Sequence, residues 1–466
     1  MPKLECTSVV KIECSATEEA EETLDGQSRI CNWLYNQLLD KANQLKQVYK
    51  ETQDPELAKI IYTERGLRNL IPRHKQEHPF LKVVHSSPLK NAALRTSGAI
   101  QAYQKSRKGK RKGTSGWPRF RSWRRNWFSL LYDEPNKGFR IDGNTLYLSL
   151  GMGAERTKRR VTLTLASTTA LENKEIRNLR IVKQLGQFFA VFTVKTFVPD
   201  QKPIHSAIAL DPNHKNLGYG VSTDNQAIEI EAPTWIKKAD KRIDELTKKR
   251  DRCKRRSKKI VLRPQTEESN ELFYWQPSRR WLHINKQIER VRQKRRDQTK
   301  TFLYTVAHRL FRTYDLVSIG DYTPDGSGVT TAMRRAMNNQ SLIGRFKETL
   351  SWVALKSGKH FHVFNEKGTT RTCCHCGFVV NNGLCPSIRS WECEGCRTVH
   401  LRDENSSQNG LRRTLRDLSI EKLVPGSGPV LIEKRWAWCA LPSGVHRTSR
   451  GQCCEFLQHQ EIKLGA

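Results

Sequence analysis

The sequence of 466 residues has no long hydrophobic run. No apolar stretch approaches the roughly 20 residues that span a bilayer. Its N-terminal residues, MPKLECTSVVKIEC, also have no apolar core of signal-peptide length. We therefore expect an intracellular protein without a membrane partner, located in the nucleus of a eukaryote or in the cytoplasm of a bacterium.

Acidic residues are in short supply relative to basic ones. The chain has 82 Lys and Arg against 47 Asp and Glu, which gives a formal net charge of +35. An excess of this size repels itself unless an anionic partner binds it, and extended nucleic acid is the natural counter-polyanion. The apolar fraction of 37% is low for one compact globule, and the length allows about three domains.

The cysteines do not suit a disulfide framework. There are 13 of them, an odd number. Four form two Cys-x-x-Cys pairs, Cys373/Cys376 and Cys393/Cys396, with sixteen residues between the pairs. Each pair can form a tight knuckle, and the intervening loop allows four thiolates to close a tetrahedron. The spacing predicts one structural Zn²⁺ with no open coordination position.

The first part of the chain changes its pattern twice. Residues 3–14 alternate like a short strand. From about Thr17 to Gln104, apolar residues recur every three or four positions, which predicts short helices divided by prolines. Strand patterns dominate from Phe139 to Val198 and predict a small β-barrel or sheet, with the N-terminal strand as a candidate member.

Residues 105–128 interleave basic and aromatic side chains. Cations neutralise phosphates and aromatic faces stack on unpaired bases, so this composition favours contact with single-stranded or folded RNA over a solvated basic loop. The candidate contact residues are Arg107, Lys108, Lys110, Arg111, Lys112, Trp117, Arg119, Phe120, Arg121, Arg124 and Arg125.

A second basic region, residues 234–314, has a helical period, and nearly all of its charge runs are positive. A break at Pro264–Asn270 predicts a loop joining two helices, and we expect this hairpin to lie on a phosphate backbone. Further candidate contact residues are Lys254, Arg255, Arg256, Arg279, Arg280 and Arg345. The tail from about Val424 is expected to be irregular, and no function is inferred for it.

Four carboxylates stand at positions where a sheet could present them together. Asp211 ends an apolar strand and a second strand returns beside it, which is how a ribonuclease-H-like sheet presents a metal-binding acid. Asp321 and Glu366 each follow another strand, and Asp403 begins a helix. Taken singly, such residues are often turn or helix caps.

This order of features resembles the RuvC-like nuclease of the TnpB family. That family includes transposon-encoded RNA-guided nucleases, their eukaryotic relatives called Fanzor, and the miniature type V CRISPR effectors. The resemblance is strongest from about Ala207 to Leu418. It rests on NEKGTTRTCCHCG at the first knuckle and CRTVHLRDENSSQN after the second. The segment WPRFRSWRR and the stretch Asn32–Asn36 are weaker matches.

The resemblance implies an α/β multidomain protein. It would contain a ribonuclease-H-like (RuvC) nuclease domain with an inserted zinc ribbon, an N-terminal helical recognition domain and a small β-barrel (wedge) domain. The implied boundaries are 1–16 for the first wedge strand, 17–108 for the recognition domain, 109–203 for the wedge, 204–369 for the nuclease domain with a basic helical insertion at 234–300, 370–399 for the zinc module, 400–424 for the last nuclease segment and 425–466 for the tail.

The most important departure from the family pattern concerns the second acid. The usual strand-end glutamate would fall near Gly320. Members with a rearranged site, including Fanzor proteins, carry it on the strand before the knuckles, where Glu366 stands. Asp321 is one residue out of phase, which on a strand points to the opposite face, so we assign the second acid to Glu366 and keep Asp321 in reserve. Smaller departures are Arg397 for a glycine, Leu401 for an acid, and Ser406 and Ser407 for alanines.

The resemblance implies hydrolysis with two Mg²⁺ ions. Such ions, about 4 Å apart, can activate a water and neutralise charge on the leaving oxygen when carboxylates hold them. Asp211 would bridge both ions, and Glu366 and Asp403 would each complete one. Asn405 and Asn409, one turn apart on the same helical face, are expected to orient acids or substrate.

The implied function is that of an RNA-guided DNA endonuclease of a transposable element. A monomer would hold an omega-type guide RNA, pair it with target double-stranded DNA, and cut both strands in one site. Two alternatives stay open. The glycine at position 320 is compatible with a guided or unguided nucleic-acid-binding protein that does not cleave. The other alternative, a basic zinc-ribbon protein of the ribosome or of transcription, gives no reason for Asp211 and Glu366 to converge.

Overall fold

The chain folds as two compact units, whose main segments are Leu4–Phe197 and Val198–Gly465. None of the helices in the described part of the chain is long and apolar enough to cross a membrane. The structure, a computed structural model, describes residues 5–110, 114–121, 127–152, 159–213, 216–253, 256–263, 272–322, 330–331, 334, 337, 340–381, 383–384, 388–420, 423, 432–438, 446–447 and 453–457.

A seven-stranded antiparallel sheet forms the centre of the first unit. Its strands are β1 (Glu5–Ser15), β2 (Ser129–Tyr132), β3 (Phe139–Asp142), β4 (Thr145–Ser149), β5 (Arg160–Leu165), β6 (Ile176–Gln184) and β7 (Gln187–Phe197). They lie in the order β2-β6-β7-β1-β5-β4-β3, with β2 and β3 at the edges. The alternation in β5 buries Val161, Leu163 and Leu165, because successive side chains point to opposite faces.

Helices cover one face of this sheet. They are α1 (Glu18–Thr52), α2 (Pro55–Tyr62), α3 (Ile71–Glu77) and α4 (Ser86–Arg107). Helix α1 begins after Thr17, whose side chain accepts a hydrogen bond from the Ala20 amide, and glutamates in its first turn favour the helix N-terminus. Leu24, Leu34 and Leu38 form its buried stripe and share one hydrophobic core with the inner side chains of the sheet.

The second unit contains the remaining strands and helices. The strands are β8 (Ala207–Asp211), β9 (Asn216–Ser222), β10 (Gln226–Glu231), β11 (Lys258–Arg263), β12 (Leu272–Gln276), β13 (Leu316–Gly320), β14 (His360–Phe364), β15 (Ser390–Glu392), β16 (Val399–Leu401), β17 (Ile432–Trp438), β18 (His446–Arg447) and β19 (Cys453–Leu457). The helices are α5 (Trp235–Cys253), α6 (Arg279–Thr313), α7 (Ile343–Ser357) and α8 (Arg402–Asp417).

Eight of these strands form a mixed sheet in the order β14-β13-β8-β9-β10-β17-β19-β18. Strand β8 runs antiparallel to β9 and parallel to β13, which runs parallel to β14. All residues of β9 and β13 are buried, as expected for strands that are covered on both faces. The return of β9 beside the end of β8 is the arrangement expected of a ribonuclease-H-like sheet.

The two faces of the mixed sheet pack against different helices. Ile208, Leu210 and Val317 share a core with α6 and α7. The alternate residues Ala207 and Leu316 belong to a smaller core, which also contains apolar residues of α8. Positions with the parity of Ala207 and Leu316 therefore face α8.

Two sequence predictions about this unit were wrong. The region expected to be two helices joined by a loop also contains a hairpin, since β11 pairs with β12; residues 264–271 between them lie outside the described residues. The tail, expected to be irregular, contributes β17, which runs parallel to β10 and buries Trp436. Pairing between strands this far apart in the chain leaves no local pattern.

Gly410 allows α8 to approach β14 closely. A Cβ atom at this position would lie within 2.9 Å of three ring atoms of the buried Phe364. Glycine inside a helix normally costs about 0.5–1 kcal/mol relative to alanine, but here an alanine would overpack the core.

We predict that Gly410→Ala destabilises the protein by about 1–3 kcal/mol, because overpacking outweighs the helix propensity of alanine. Thermal unfolding should show a lower midpoint. Gly344→Ala in α7 is the matched control, since a Cβ there has nothing within 4 Å, and its midpoint should be unchanged or slightly higher. A rise in the midpoint for Gly410→Ala would contradict the prediction.

Candidate metal and nucleic-acid site

Alternation of side chains along the strands places Asp211 and Gly320 on the same face of the sheet, at adjacent strand ends. In β8, Asp211 has the parity of Ala207 and Ala209, which belong to the core on the α8 side. In β13, Gly320 has the parity of Leu316, which belongs to the same core. The carboxyl ends of β8, β13 and β14 are adjacent because these strands are parallel neighbours. Asp211 and the vacant side-chain position of Gly320 therefore lie next to each other.

The Glu366 carboxylate occupies the space that a side chain at position 320 would need. A Cβ atom added to Gly320 would overlap the carboxylate, with Glu366 Oε1, Cδ and Cγ as its nearest neighbours. Gly320 is the register partner of Phe364, so two further residues of chain are enough to return Glu366 to this face. An acid at position 320 and an acid at position 366 are mutually exclusive here.

The charge of Asp211 interacts with both of the other acids, Asp403 and Glu366. Burial and then the charge of Asp403 raise the pKa of Asp211 to about 7, against a hydrogen bond from Ser406 and the charge of Arg402. Burial and then the charge of Asp211 raise the pKa of Glu366 to about 8, which Lys347 opposes.

The oxygens of these acids are only partly satisfied by protein groups. Ser406 Oγ donates to Asp211 Oδ1 at 3.1 Å. Glu366 Oε1 is buried and has no hydrogen-bond partner within the described chain. Asp403, in the first turn of α8, has Arg389 Nη1 at 3.4 Å from both of its oxygens. A buried carboxylate oxygen without a donor, next to a second carboxylate that repels it, is expected of a cation site.

The three acids do not form one tight cluster. Among the described residues, their oxygens are not all within 4.8 Å of one another, whereas the four Sγ atoms of Cys373, Cys376, Cys393 and Cys396 are. A single ion bound by all three acids is therefore disfavoured. Asp211 is the acid whose charge interacts with both of the others.

Asp321 supports the turn that presents Glu366. Its Oδ1 accepts a hydrogen bond from the Glu366 amide at 3.0 Å, and its own amide donates to the Phe364 carbonyl at 2.8 Å. Asp321, the alternative candidate for the second acid, thus contacts the Glu366 backbone. The Glu366 carboxylate itself lies over Gly320.

Asn405 and Asn409 bind the loop between Glu366 and the first knuckle. Both are buried, and both side-chain amides donate to the carbonyls of Thr369 and Thr372, at distances of 2.7–3.2 Å. Asn405 Oδ1 also accepts from the Cys374 amide at 2.8 Å. The two amides, expected to orient acids or substrate, thus contact the loop that follows Glu366.

The four cysteines have the geometry of a metal site. The Cys373 and Cys396 Sγ atoms are 3.7 Å apart, and those of Cys376 and Cys393 are 3.5 Å apart. Four thiolates at about 2.3 Å from a tetrahedral Zn²⁺ would be separated by about 3.8 Å. The cluster therefore fits the Zn²⁺ of a zinc ribbon.

The second knuckle turns through Arg397, which has a positive φ of 61°. This left-handed conformation favours glycine, the residue that the family usually has at this position. The amide of Arg397 donates to the Cys393 carbonyl at 2.8 Å, so the knuckle closes in spite of the substitution.

Some of the predicted nucleic-acid contacts lie outside the described residues: Arg111, Lys112, Arg124, Arg125, Lys254 and Arg255. The exposed ones are Arg107, Lys108, Lys110, Arg119, Phe120, Arg256, Arg279, Arg280 and Arg345. Trp117 is placed differently, because its Nε1 donates to Asn43 and Lys46 Nζ lies 3.7 Å from the ring centroid. The Trp117 ring therefore already has protein partners on its face and edge.

Arg121 belongs to a group of half-buried guanidinium groups. It lies 3.8 Å from the centroid of the Tyr35 ring. Arg95 and Arg180 both donate to Ser129 Oγ, at 2.6 and 2.9 Å. Burial and then the charges of Arg180 and Arg121 lower the pKa of Arg95 to about 10. Across the described chain, none of the three has an ion pair with a carboxylate, so an anion such as a phosphate would offset their repulsion.

Sequence reasoning missed several residues that act on the acids or belong to the arginine group of the first unit. Ser406 was noted only as a departure from an alanine, although its position three residues after Asp403 places both on one side of a helix. Lys347 and Arg389 left no signal, because each reaches the acids through tertiary packing. Arg95 and Arg180 were likewise hidden in ordinary helix and strand patterns.

Comparison with known proteins finds similarity in the segment that carries part of the candidate site. A family model described as Cas12f1-like, TNB domain matches residues 344–409, the range that contains Glu366, Asp403 and the four cysteines. The TnpB-like proteins L79, L770 and R854 of Acanthamoeba polyphaga mimivirus are 28% identical to the chain over 156 residues. This match covers 32% of the chain and only 29% of each relative's length.

A solved structure has a similar fold over most of the chain. The Cas12f1 chain of a Cas12f1–sgRNA–target DNA complex aligns with a TM-score of 0.50 and 10% sequence identity. The alignment covers 87% of this chain and 98% of that chain. The fold over most of this chain is thus similar to that of the Cas12f1 chain. Together, the matched domain and the viral relatives confirm the resemblance seen in the sequence: the chain carries a Cas12f1-like TNB segment and is similar to TnpB-like proteins over 32% of its length.

Proposed function

We propose that the protein is an RNA-guided DNA endonuclease that hydrolyses phosphodiesters with two Mg²⁺ ions in one RuvC-like site. The observation that carries this proposal is the Glu366 carboxylate beside Asp211, in the space that Gly320 leaves open. This position supplies a third acid to a site that would otherwise have two. Glycine at position 320 together with glutamate at position 366 favours the Fanzor-like branch of the family, whose glutamate stands before the knuckles.

The donor set fits divalent ions that prefer oxygen ligands. Asp211 would contribute to both ions, Glu366 to one and Asp403 to the other. When bound, the ions would supply the charge that activates a water and neutralises the leaving oxygen. Arg389 holds Asp403 at 3.4 Å in the protein alone, and its exposed position allows it to move aside for an ion.

The basic residues support the proposed partners. A net charge of +35 requires a large anion, and the group of Arg95, Arg121 and Arg180 lacks carboxylate partners in the described chain. We propose that an omega-type guide RNA and target double-stranded DNA supply the phosphates, with sequence choice made by base pairing. The protein would act as a monomer, and its zinc ribbon would be structural, since four thiolates leave no open position.

A guided binding protein without nuclease activity is the second candidate. Gly320 favours it, because the usual strand-end acid is missing from β13. The two candidates differ in whether the acids are needed for anything beyond binding, so the same variants decide between them.

We predict that Asp211→Asn and Glu366→Gln each lower the rate of target cleavage at least about 100-fold, because each removes several kcal/mol of stabilisation that a bound ion provides. The protein is purified with its co-purifying RNA, that RNA is sequenced, and a matching DNA target is cut in the presence of Mg²⁺. Binding of guide RNA and target should stay close to that of the unmodified protein.

Two further variants make this measurement selective. Asp417→Asn is the matched control, because Asp417 is on the same helix as Asp403 but pairs with His362; it should cleave normally. Asp321→Asn tests the reserve acid and should have a smaller effect than Glu366→Gln. Cleavage that survives both Asp211→Asn and Glu366→Gln would contradict the nuclease proposal, and guided binding without any cleavage by the unmodified protein would favour the second candidate.

Exchanging the acid between its two possible positions gives a stricter test. Gly320→Glu alone should be inactive, since the new side chain overlaps the Glu366 carboxylate. The double variant Gly320→Glu/Glu366→Gly should cleave at least about tenfold faster than Glu366→Gly, because it returns a carboxylate to the same space. If the double variant binds guide RNA normally but cleaves no faster than Glu366→Gly, the shared position is refuted.

The acids also predict how stability depends on pH. Their pKa values, about 7 for Asp211 and about 8 for Glu366, lie above the ordinary 3.8 and 4.5. The folded protein therefore keeps protons that the unfolded chain releases, so this contribution to stability is full below about pH 4 and is lost as the pH rises through about 7 to 8.

We predict that, without Mg²⁺, the unmodified protein loses more thermal stability between about pH 6 and pH 8.5 than Glu366→Gln does. The glutamine removes one of two repelling charges, and each kcal/mol of repulsion corresponds to about 2–4 °C in the midpoint. Thermal unfolding of both proteins at the two pH values measures the difference. Equal losses would show that Glu366 does not ionise against Asp211.

A further inference from the structure

A second group of metal-ligating side chains lies at the end of α3, in the first unit. His74 and Glu77 are on α3, and His78 caps it. The spacing of three and four residues places them on one helical face. Their candidate ligand atoms all lie within 4.8 Å of one another. Across the described chain, the four cysteines of the zinc ribbon are the one other group with this property.

The atoms of this group are placed as ligands would be. His74 Nδ1 is buried and has no hydrogen-bond partner within the described chain. The two carboxylate oxygens of Glu77 have different neighbours. Arg73 Nε donates to Oε1 at 2.8 Å, and Oε2 lies 3.9 Å from His74 Nδ1. An unsatisfied ring nitrogen and a carboxylate oxygen therefore face each other at a distance that is too long for a hydrogen bond but that a metal ion could bridge.

Aromatic neighbours pack against the His78 ring, which in turn faces His74. The rings of His74 and His78 are nearly parallel, with centroids 6.2 Å apart. Trp33 of α1 meets His78 edge to face at 4.8 Å and Phe80 at 4.9 Å. Packing of this kind lowers the entropy cost of fixing ligands around an ion.

We propose that His74, Glu77 and His78 bind a divalent transition-metal ion, with Zn²⁺ as the natural occupant. Two imidazoles and one carboxylate suit Zn²⁺, Co²⁺ or Ni²⁺ and are a poor set for Mg²⁺, which prefers oxygen ligands. Three protein ligands leave a fourth position for water. The ion would clip the end of α3 to the segment that follows it, against Trp33 of α1. This site is independent of the nuclease proposal.

Metal content of the full-length protein tests the site. The protein is equilibrated with micromolar Zn²⁺ and desalted, and zinc per chain is measured by mass spectrometry. Unmodified protein should hold two Zn²⁺, and His78→Gln should hold one. Glu77→Gln, an exposed position where glutamine keeps the helix, should bind the second ion about 10–100-fold more weakly. His283→Gln, which alters an exposed histidine on α6, is the control and should hold two.

Co²⁺ substitution tells the two sites apart. The cysteine cluster should give thiolate-to-metal charge-transfer absorption, and the histidine–glutamate site should add weaker ligand-field bands without it. His78→Gln should lose only the weaker bands, with its far-ultraviolet circular dichroism unchanged. One Zn²⁺ per unmodified chain, retained by His78→Gln and lost from Cys376→Ser, would overturn the proposal. Two Zn²⁺ in both His78→Gln and Glu77→Gln would overturn it as well.

Discussion

Repulsion among carboxylates at the ends of β8, β13 and β14 is the constraint on which the candidate site depends. Asp211 and Glu366 lie close enough, and are shielded enough from water, that both pKa values are raised to near or above neutrality. A folded protein keeps such a pair only if neighbouring structure holds it, or if a ligand offsets the charge. Here the sheet, the loop after Glu366 and helix α8 all hold it.

The cysteine cluster has a geometric role in this arrangement. The loop that connects Glu366 to the first knuckle is held at one end by the cysteine cluster. Along its length it is held by Asn405 and Asn409, which are on the same helix as Asp403 and Ser406. Helix α8 therefore carries Asp403, donates a hydrogen bond to Asp211 through Ser406, and holds the loop that follows Glu366. Gly410 on this helix permits its close packing on Phe364, two residues before Glu366.

Local sequence patterns predicted the cysteine site and the strand that ends at Asp211. They did not predict the contacts made between distant parts of the chain. The cysteines were readable because their ligand geometry depends on spacing within two short knuckles, and Asp211 because it ends a continuous apolar strand. The strand β17 was missed because it pairs with β10, about two hundred residues away in the chain. The meaning of Gly320 could be stated only as an expectation, because it depends on whether a side chain 46 residues later fills the same volume. Lys347 and Arg389 reach the acids only in the folded chain.

The central claim is tested most directly by locating the divalent ions in crystals of the protein with its guide RNA and target DNA. Mn²⁺ can replace Mg²⁺ at oxygen ligands and is visible by anomalous diffraction. We expect two peaks, both at about 2.1 Å from Asp211 oxygens, one bonded to Glu366 and the other to Asp403. Ions that contact Asp211 and Asp403 while Glu366 stays unbound, or that bind Asp321 in its place, would contradict the assignment of Glu366 as the third acid of the site.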